Sequence, residues 1–327
     1  MVSLLISVNK GAFKIIDELI NDNDLINKLN IDIIKAGKST IIDMGVKAEG
    51  GYLAGLKLGE ICLGGFATVT FDSINVNNVL MPALTVTTDI PHIACLGSQF
   101  AGWRINRKEE KFFGMGSGPA RALSLKEKEL FETLEYKDSS DVAVIVLETD
   151  KIPNENVMKY IADNCNTSPE NTYACVAKTS SIAGTVQIAA RIVETGIHKL
   201  HELGFDPKKI KFGFGTTPIA PIGKNDMKSM GMTNDAIIMC GSVFLNIISN
   251  EDDDIASLTQ KVPSSTSRDY GKPFFNIFKD AEWDFYKIDP HLFAPATITI
   301  NDMRTGKTYQ NGKLDPDLLL KSFGIIK

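Results

Sequence analysis

Two continuous apolar runs near the middle of the chain limit its possible folds more than any other feature. DVAVIVLE (141–148) and NTYACVAK (171–178) show no regular alternation of polar and apolar residues. A strand with one wet face alternates, whereas a strand covered on both faces does not. A helical stretch near 154–164 lies between the runs. A long helix over about 182–203 follows, then a third strand at KIKFGFG (209–215) and another helix near 225–232. Strand, helix, strand, helix in this order needs crossover connections, so the spacing predicts neighbouring parallel strands in an α/β fold.

The flanking regions are more irregular. A helix is predicted over 9–21, with strands near 31–34, 39–42, 66–71 and 83–88. The glycines of EGGYLAGLKLGEICLGG (49–65) lower helix propensity and suggest close backbone packing if that segment is helical. Near the C-terminus, TITIND (297–302) reads as a strand, and Asn311-Gly312 is a turn signal. The EDDD run (251–254) reads as a solvated loop. A chain of 327 residues exceeds one comfortable core. Two α/β domains are therefore predicted, over 1–138 and 139–327, with the boundary in the polar EYKDSSD (135–141). Packing of the C-terminal segment back onto the first domain stays open.

A net charge of −5 gives no electrostatic reason to expect a nucleic acid or an anionic membrane as partner. No apolar run approaches the roughly 18 residues of a spanning helix. The N-terminal MVSLLISVNKGAF has neither a basic start nor a small-residue cleavage site, so it reads as mature protein. The five cysteines are scattered and form no C-x-x-C. That pattern predicts buried free thiols in a reducing cytoplasm.

Three segments share one design, a strand, then a loop of small residues, then a helix: GMGSGPARA (114–122), KTSSIAGT (178–185) and GTTPIAPIG (215–223). In parallel α/β sheets such loops gather at one edge, where ligands bind. Amides at a helix start attract anions. Gly116, Ser117, Gly118, Ser180 and Ser181 are the candidate contacts from the first two loops, and Arg121 could add a charge-assisted contact to a phosphate. None of the loops is a nucleotide signature: G-x-x-x-x-G-K-[ST] is absent, and GMGSGPARA contains G-x-G but continues with Pro119.

QIAARIVETG (187–196) places Arg191 and Glu194 about 60° apart on a helical wheel, in a polar stripe with Gln187, His198 and His201. Such a pair can be an exposed ion pair worth ~0.2–0.5 kcal/mol. Alternatively, Glu194, His198 and His201 at i, i+4 and i+7 could hold a catalytic metal. A serine nucleophile has no support, since G-x-S-x-G is absent.

The chain resembles the methenyltetrahydromethanopterin cyclohydrolases of archaeal one-carbon metabolism nearly end to end. The matching segments include SVNKGA (7–12), DMGVKAEGGYLAG (43–55), HIACLGSQFAGW (92–103), GSGPARAL (116–123), QIAARIVETG (187–196), PIAPIG (218–223), MGMTNDAI (230–237) and PSSTSRDYGKPF (263–274). The resemblance implies a reversible hydrolysis. Water opens the cationic N5,N10-methenyl bridge to give the N5-formyl compound, and methanogens usually run the reaction as cyclisation. It also implies two α/β domains with a substrate cleft between them, a homotrimer, and neither metal nor nucleotide cofactor. The family's R-x-x-E pattern maps onto Arg191 and Glu194 as the catalytic pair. Gly116, Ser117, Gly118, Arg121, Ser180, Ser181 and Gln187 are the candidate substrate contacts. Two other readings remain, the metal-dependent hydrolase above and a non-catalytic pterin-binding protein. Phe100, Trp103, Tyr270, Phe274 and Tyr286 are the aromatic residues that could face a pterin.

Overall fold

The structure, a computed structural model, describes residues 6–284 and 287–326. The chain forms two compact units, each drawn from two separate stretches. The first comprises Met1–Ala67 and Ile93–Gly184, and the second Thr68–His92 and Thr185–Lys327.

The first unit is built on a six-stranded sheet. Its strands are β1 (Asp32–Ala36), β2 (Ser39–Gly45), β5 (Trp103–Arg107), β6 (Phe112–Ser117), β7 (Ala143–Glu148) and β8 (Thr172–Ala177), in the order β1-β2-β8-β7-β6-β5. β2, β8 and β7 run parallel, while the remaining pairings are antiparallel. The apolar runs are therefore central, as their composition requires. Val144, Val146, Cys175 and Ala177 face a core with Ala12, Ile16 and Leu58 from the helices Val8–Asn21 and Tyr52–Cys62. Ile145, Leu147, Ala174 and Val176 face Val157, Met158 and Ile161 of the crossover helix Glu155–Cys165. The suggested boundary, near 137–141, falls between β6 and β7, which are hydrogen-bonded neighbours. The polar stretch there connects strands of one sheet, and its Asp138 is buried, accepting from the amide and the side chain of Asn9 at 2.9 and 2.7 Å.

The second unit has its own six-stranded sheet, from β3 (Thr68–Val76), β4 (Val79–Thr88), β9 (Ile210–Pro218), β10 (Ser242–Ile247), β11 (Thr297–Asp302) and β12 (Lys307–Gly312), ordered β12-β11-β10-β9-β4-β3. The third predicted strand, β9, is thus not a parallel neighbour of β7 and β8. It pairs antiparallel with both β10 and β4. Its own sequence explains the difference. KFGFG alternates, so it belongs to a sheet with unlike faces rather than to a doubly covered one. Gly213 and Gly215 face the helix Ile192–Glu202, and Thr217 donates from Oγ1 to the Ala236 carbonyl of the helix Asp226–Cys240 at 3.2 Å. On the other face Phe212, Phe214 and Phe244 stay exposed by 44%, 47% and 39%, among Thr85, Thr87, Thr216 and Thr299. The C-terminal β11 and β12 complete this second sheet.

Candidate active site

The long helix predicted over 182–203 is two helices, Ile182–Ala189 and Ile192–Glu202. The break lies at Ala190 and Arg191. The Arg191 amide donates to Ile188, three residues back, instead of four, and the ladder restarts with Thr195 donating to Arg191 at 2.9 Å. Arg191 takes φ −80° and ψ 2° as the residue before the second helix. Neither proline nor glycine marks the junction, so nothing in local propensity announced it.

The junction determines where the pair sits. Glu194 falls in the first turn of the second helix, where the dipole favours an anion. Arg191 Nη1 lies 3.5 Å from Glu194 Oε2, with the side chains only 13% and 7% exposed. This is not exposed helical trim. A charge pair so largely withdrawn from solvent is costly to break, because the buried Glu194 stays desolvated. The carboxylate has about four acceptor positions, and this long contact engages one of them. Gln187, one turn earlier, is also buried.

The metal reading fails on geometry. Residues i and i+7 of one straight helix are ~10.5 Å apart along its axis, so Glu194, His198 and His201 cannot converge on one ion. Among the described residues, no group of three or more His, Cys, Asp or Glu could hold a metal. His198 instead faces Glu202, Nε2 to Oε1, at 3.6 Å. Burial holds the His201 imidazole below its ordinary value.

The loop residues have largely structural work. Arg121 is wholly buried. Its Nε donates to Glu127 at 2.7 Å, and its Nη1 donates to the carbonyls of Leu96 and Ser98 at 3.1 and 2.9 Å. Its guanidinium also lies over the rings of Phe100 and Phe131. The arginine expected to meet a phosphate is thus held by its own fold, clamping the segment His92–Gln99. Ser117 is buried with Oγ 3.3 Å from Cys62 Sγ, and Gly118 turns the chain at φ 88°. A side chain on Gly116 would meet the Trp103 carbonyl. Ser181 caps the Ile182–Ala189 helix, with Oγ accepting from the Gly184 amide at 3.0 Å and donating to the Lys178 carbonyl at 2.8 Å. Ser180 remains half-buried beside it.

Some residues that organise these loops were not among the candidate site residues. Asp43, fully buried, accepts from the amides of Gly45, Val46, Lys47 and Ala48 and so folds the loop after β2. Thr179 donates to the Glu148 carboxylate at the end of β7. In the second unit, burial pushes Asp235 up to about 7, although it accepts from the Phe274 amide and the Ser322 hydroxyl. Of the aromatic candidates, Trp103 and Phe274 are core residues, and the Tyr270 hydroxyl donates to Asp315 at 3.1 Å. Tyr286 lies outside the described residues.

A buried arginine–glutamate pair at a helix start, on a two-unit α/β scaffold, fits an enzyme that moves protons. The chain belongs to the MCH cyclohydrolase family, whose model matches residues 7–323. Proteins named methenyltetrahydromethanopterin cyclohydrolase are similar to it along their whole length. That of Methanococcoides burtonii is 49% identical over 321 residues, covering 98% of this chain and 99% of the relative. That of Methanosarcina mazei is 49% identical over 327 residues, covering 99% and 100%. That of Methanothermobacter marburgensis is 46% identical over 327 residues, covering 98% and 100%. No helix among the described residues is long and apolar enough to cross a membrane.

Proposed function

We propose that this protein interconverts N5,N10-methenyltetrahydromethanopterin and N5-formyltetrahydromethanopterin, with Glu194 as general base and acid and Arg191 as its partner. The observation that carries this reading is the buried Arg191–Glu194 contact in the first turn of the Ile192–Glu202 helix, in a chain that matches its relatives from end to end.

The chemistry suits the pair. The methenyl carbon is an amidinium centre, electrophilic and cationic, so water attacks it without further activation of the carbon. A C–O bond forms while the Glu194 carboxylate takes a proton from the water. The C–N10 bond then breaks, N10 leaves with a proton, and the oxygen remains as the formyl carbonyl. One water is consumed and one proton is released, which balances the lost positive charge. In the cyclising direction the protonated acid returns its proton to the departing hydroxyl. Assistance of this kind is worth ~10²–10⁴-fold. The anionic carboxylate also stabilises the cation where water is excluded. Arg191 acts through Glu194, since a guanidinium has no attraction for a cationic substrate, and it fixes the carboxylate's direction. Ser180, half-buried beside Ser181, and Gln187, buried one turn before Arg191, are the proposed substrate contacts nearest the pair in sequence.

The reaction consumes only water, so it calls for no redox or nucleotide cofactor. The homotrimer implied by the resemblance is proposed to use the open face of the second sheet, where three exposed phenylalanines sit among uncharged threonines. The test of the activity is spectroscopic. Wild-type protein in chelating buffer should bleach the methenyl chromophore rapidly, and Glu194→Gln should not. Equal rates for the two proteins would remove Glu194 from the chemistry.

A further inference from the structure

The first turn of the Ile192–Glu202 helix lies unusually close to the sheet beneath it. Along β9, glycines alternate with phenylalanines, and the glycines face the helix. A Cβ built on Gly213 would stand 2.7 Å from Val193 Cγ1. On Gly215 it would stand 3.0 Å from Val193 Cγ2 and 3.1 Å from both Ile192 Cγ1 and Cγ2. On Gly241, just before β10, it would meet Ile192 Cδ1 at 2.6 Å. Val193 is β-branched with a stiff χ1, so its methyl groups cannot swing aside without moving the backbone. A cushion of hydrogen atoms thus replaces side chains beneath residues 192 and 193, and Glu194 is the next residue along the turn.

We infer that Gly213 and Gly215 are positioning residues for Glu194: by admitting Ile192 and Val193 against the sheet, they set the depth of the turn that carries the carboxylate. This rests on the catalytic reading of Glu194. The residues touch no reacting atom and act only through the helix they seat. The Phe-Gly-Phe-Gly alternation follows from the two demands on β9, close approach on one face and a wide apolar surface on the other.

The test is a clash and its relief. Wild-type turnover is measured first, and absence of activity there would defeat the catalytic reading before any variant is compared. Gly213→Ala should lower kcat by ~10–100-fold with KM within about twofold, as a displacement of about 1 Å can cost 10²-fold. Gly213→Ala combined with Val193→Ala removes the methyl group in the way and should restore most of the lost kcat. Gly231→Ala is the control for general loosening. Its Cβ would meet Phe275 Cβ at 2.9 Å, on the Asp226–Cys240 helix, so it should lower Tm and leave kcat in place. If Gly213→Ala does not fold, the milder Gly215→Ala replaces it, with the same expected order of effects. Wild-type kcat in the clashing variant, no recovery in the double variant, or an equal kcat loss in Gly231→Ala would each overturn the inference.

Discussion

Arg191 and Glu194 meet at 3.5 Å, Nη1 to Oε2, across the start of a helix whose first turn is seated on glycine. Their sequence spacing suits any exposed ion pair, but their burial does not. Each side chain makes the other tolerable, so the pair should respond to mutation as a unit.

Replacing Arg191 by Met should destabilise the protein by about 1–3 kcal/mol, because Glu194 would be left desolvated and unpaired. Adding Glu194→Gln should recover much of that stability and none of the activity. Urea denaturation of Arg191→Met, Glu194→Gln and the double variant, with turnover on the same samples, checks both halves. Additive stability losses would mean that the two side chains are not coupled.

Arg121 should behave as a structural residue. Arg121→Met removes the charged partner of Glu127 and the side-chain donor to the Leu96 and Ser98 carbonyls, and should cost about 3–5 kcal/mol. Folded protein, assayed well below its melting temperature, should keep a KM near that of wild type. A large rise in KM with Tm unchanged would restore the phosphate contact expected from the sequence.

Asp235 gives the protein a pH-dependent weakness. Burial raises its folded value to about 7 from the model-compound 3.8. Between these values the folded chain binds more protons than the unfolded chain, so stability falls as pH rises. The loss is complete above the folded value, and its size is on the order of 4 kcal/mol. Asp235→Asn keeps an acceptor for the Phe274 amide and never charges. Its Tm advantage over wild type should therefore widen from pH 5 to pH 8. An advantage independent of pH would show that Asp235 does not titrate in this range.

The open face of the second sheet should govern assembly. Phe214→Glu places a charge at the centre of the Phe212, Phe214 and Phe244 patch. Light scattering should find a trimer for the wild type and a monomer for the variant. A trimer that survives the substitution would place the interface elsewhere.

The sequence by itself determined the elements whose signal is local. The runs at 141–148 and 171–178 had to be doubly covered strands, and they are parallel neighbours joined by the Glu155–Cys165 helix. The matched segments determined the family. Only the tertiary structure decided which strands share a sheet. β9 follows β8 in the chain yet joins β3 and β4, because pairing depends on burial contributed by residues far away in sequence. The helix break at Ala190 and Arg191 was invisible for a related reason: the residues around it are good helix formers, and tertiary packing overrides propensity there. Burial of Arg191 and Glu194, and the engagement of Arg121 by Glu127, Leu96 and Ser98, likewise depend on what surrounds a side chain in space. A motif specifies which groups are present, but whether a charge is exposed, paired or ready to move a proton depends on the packing around it.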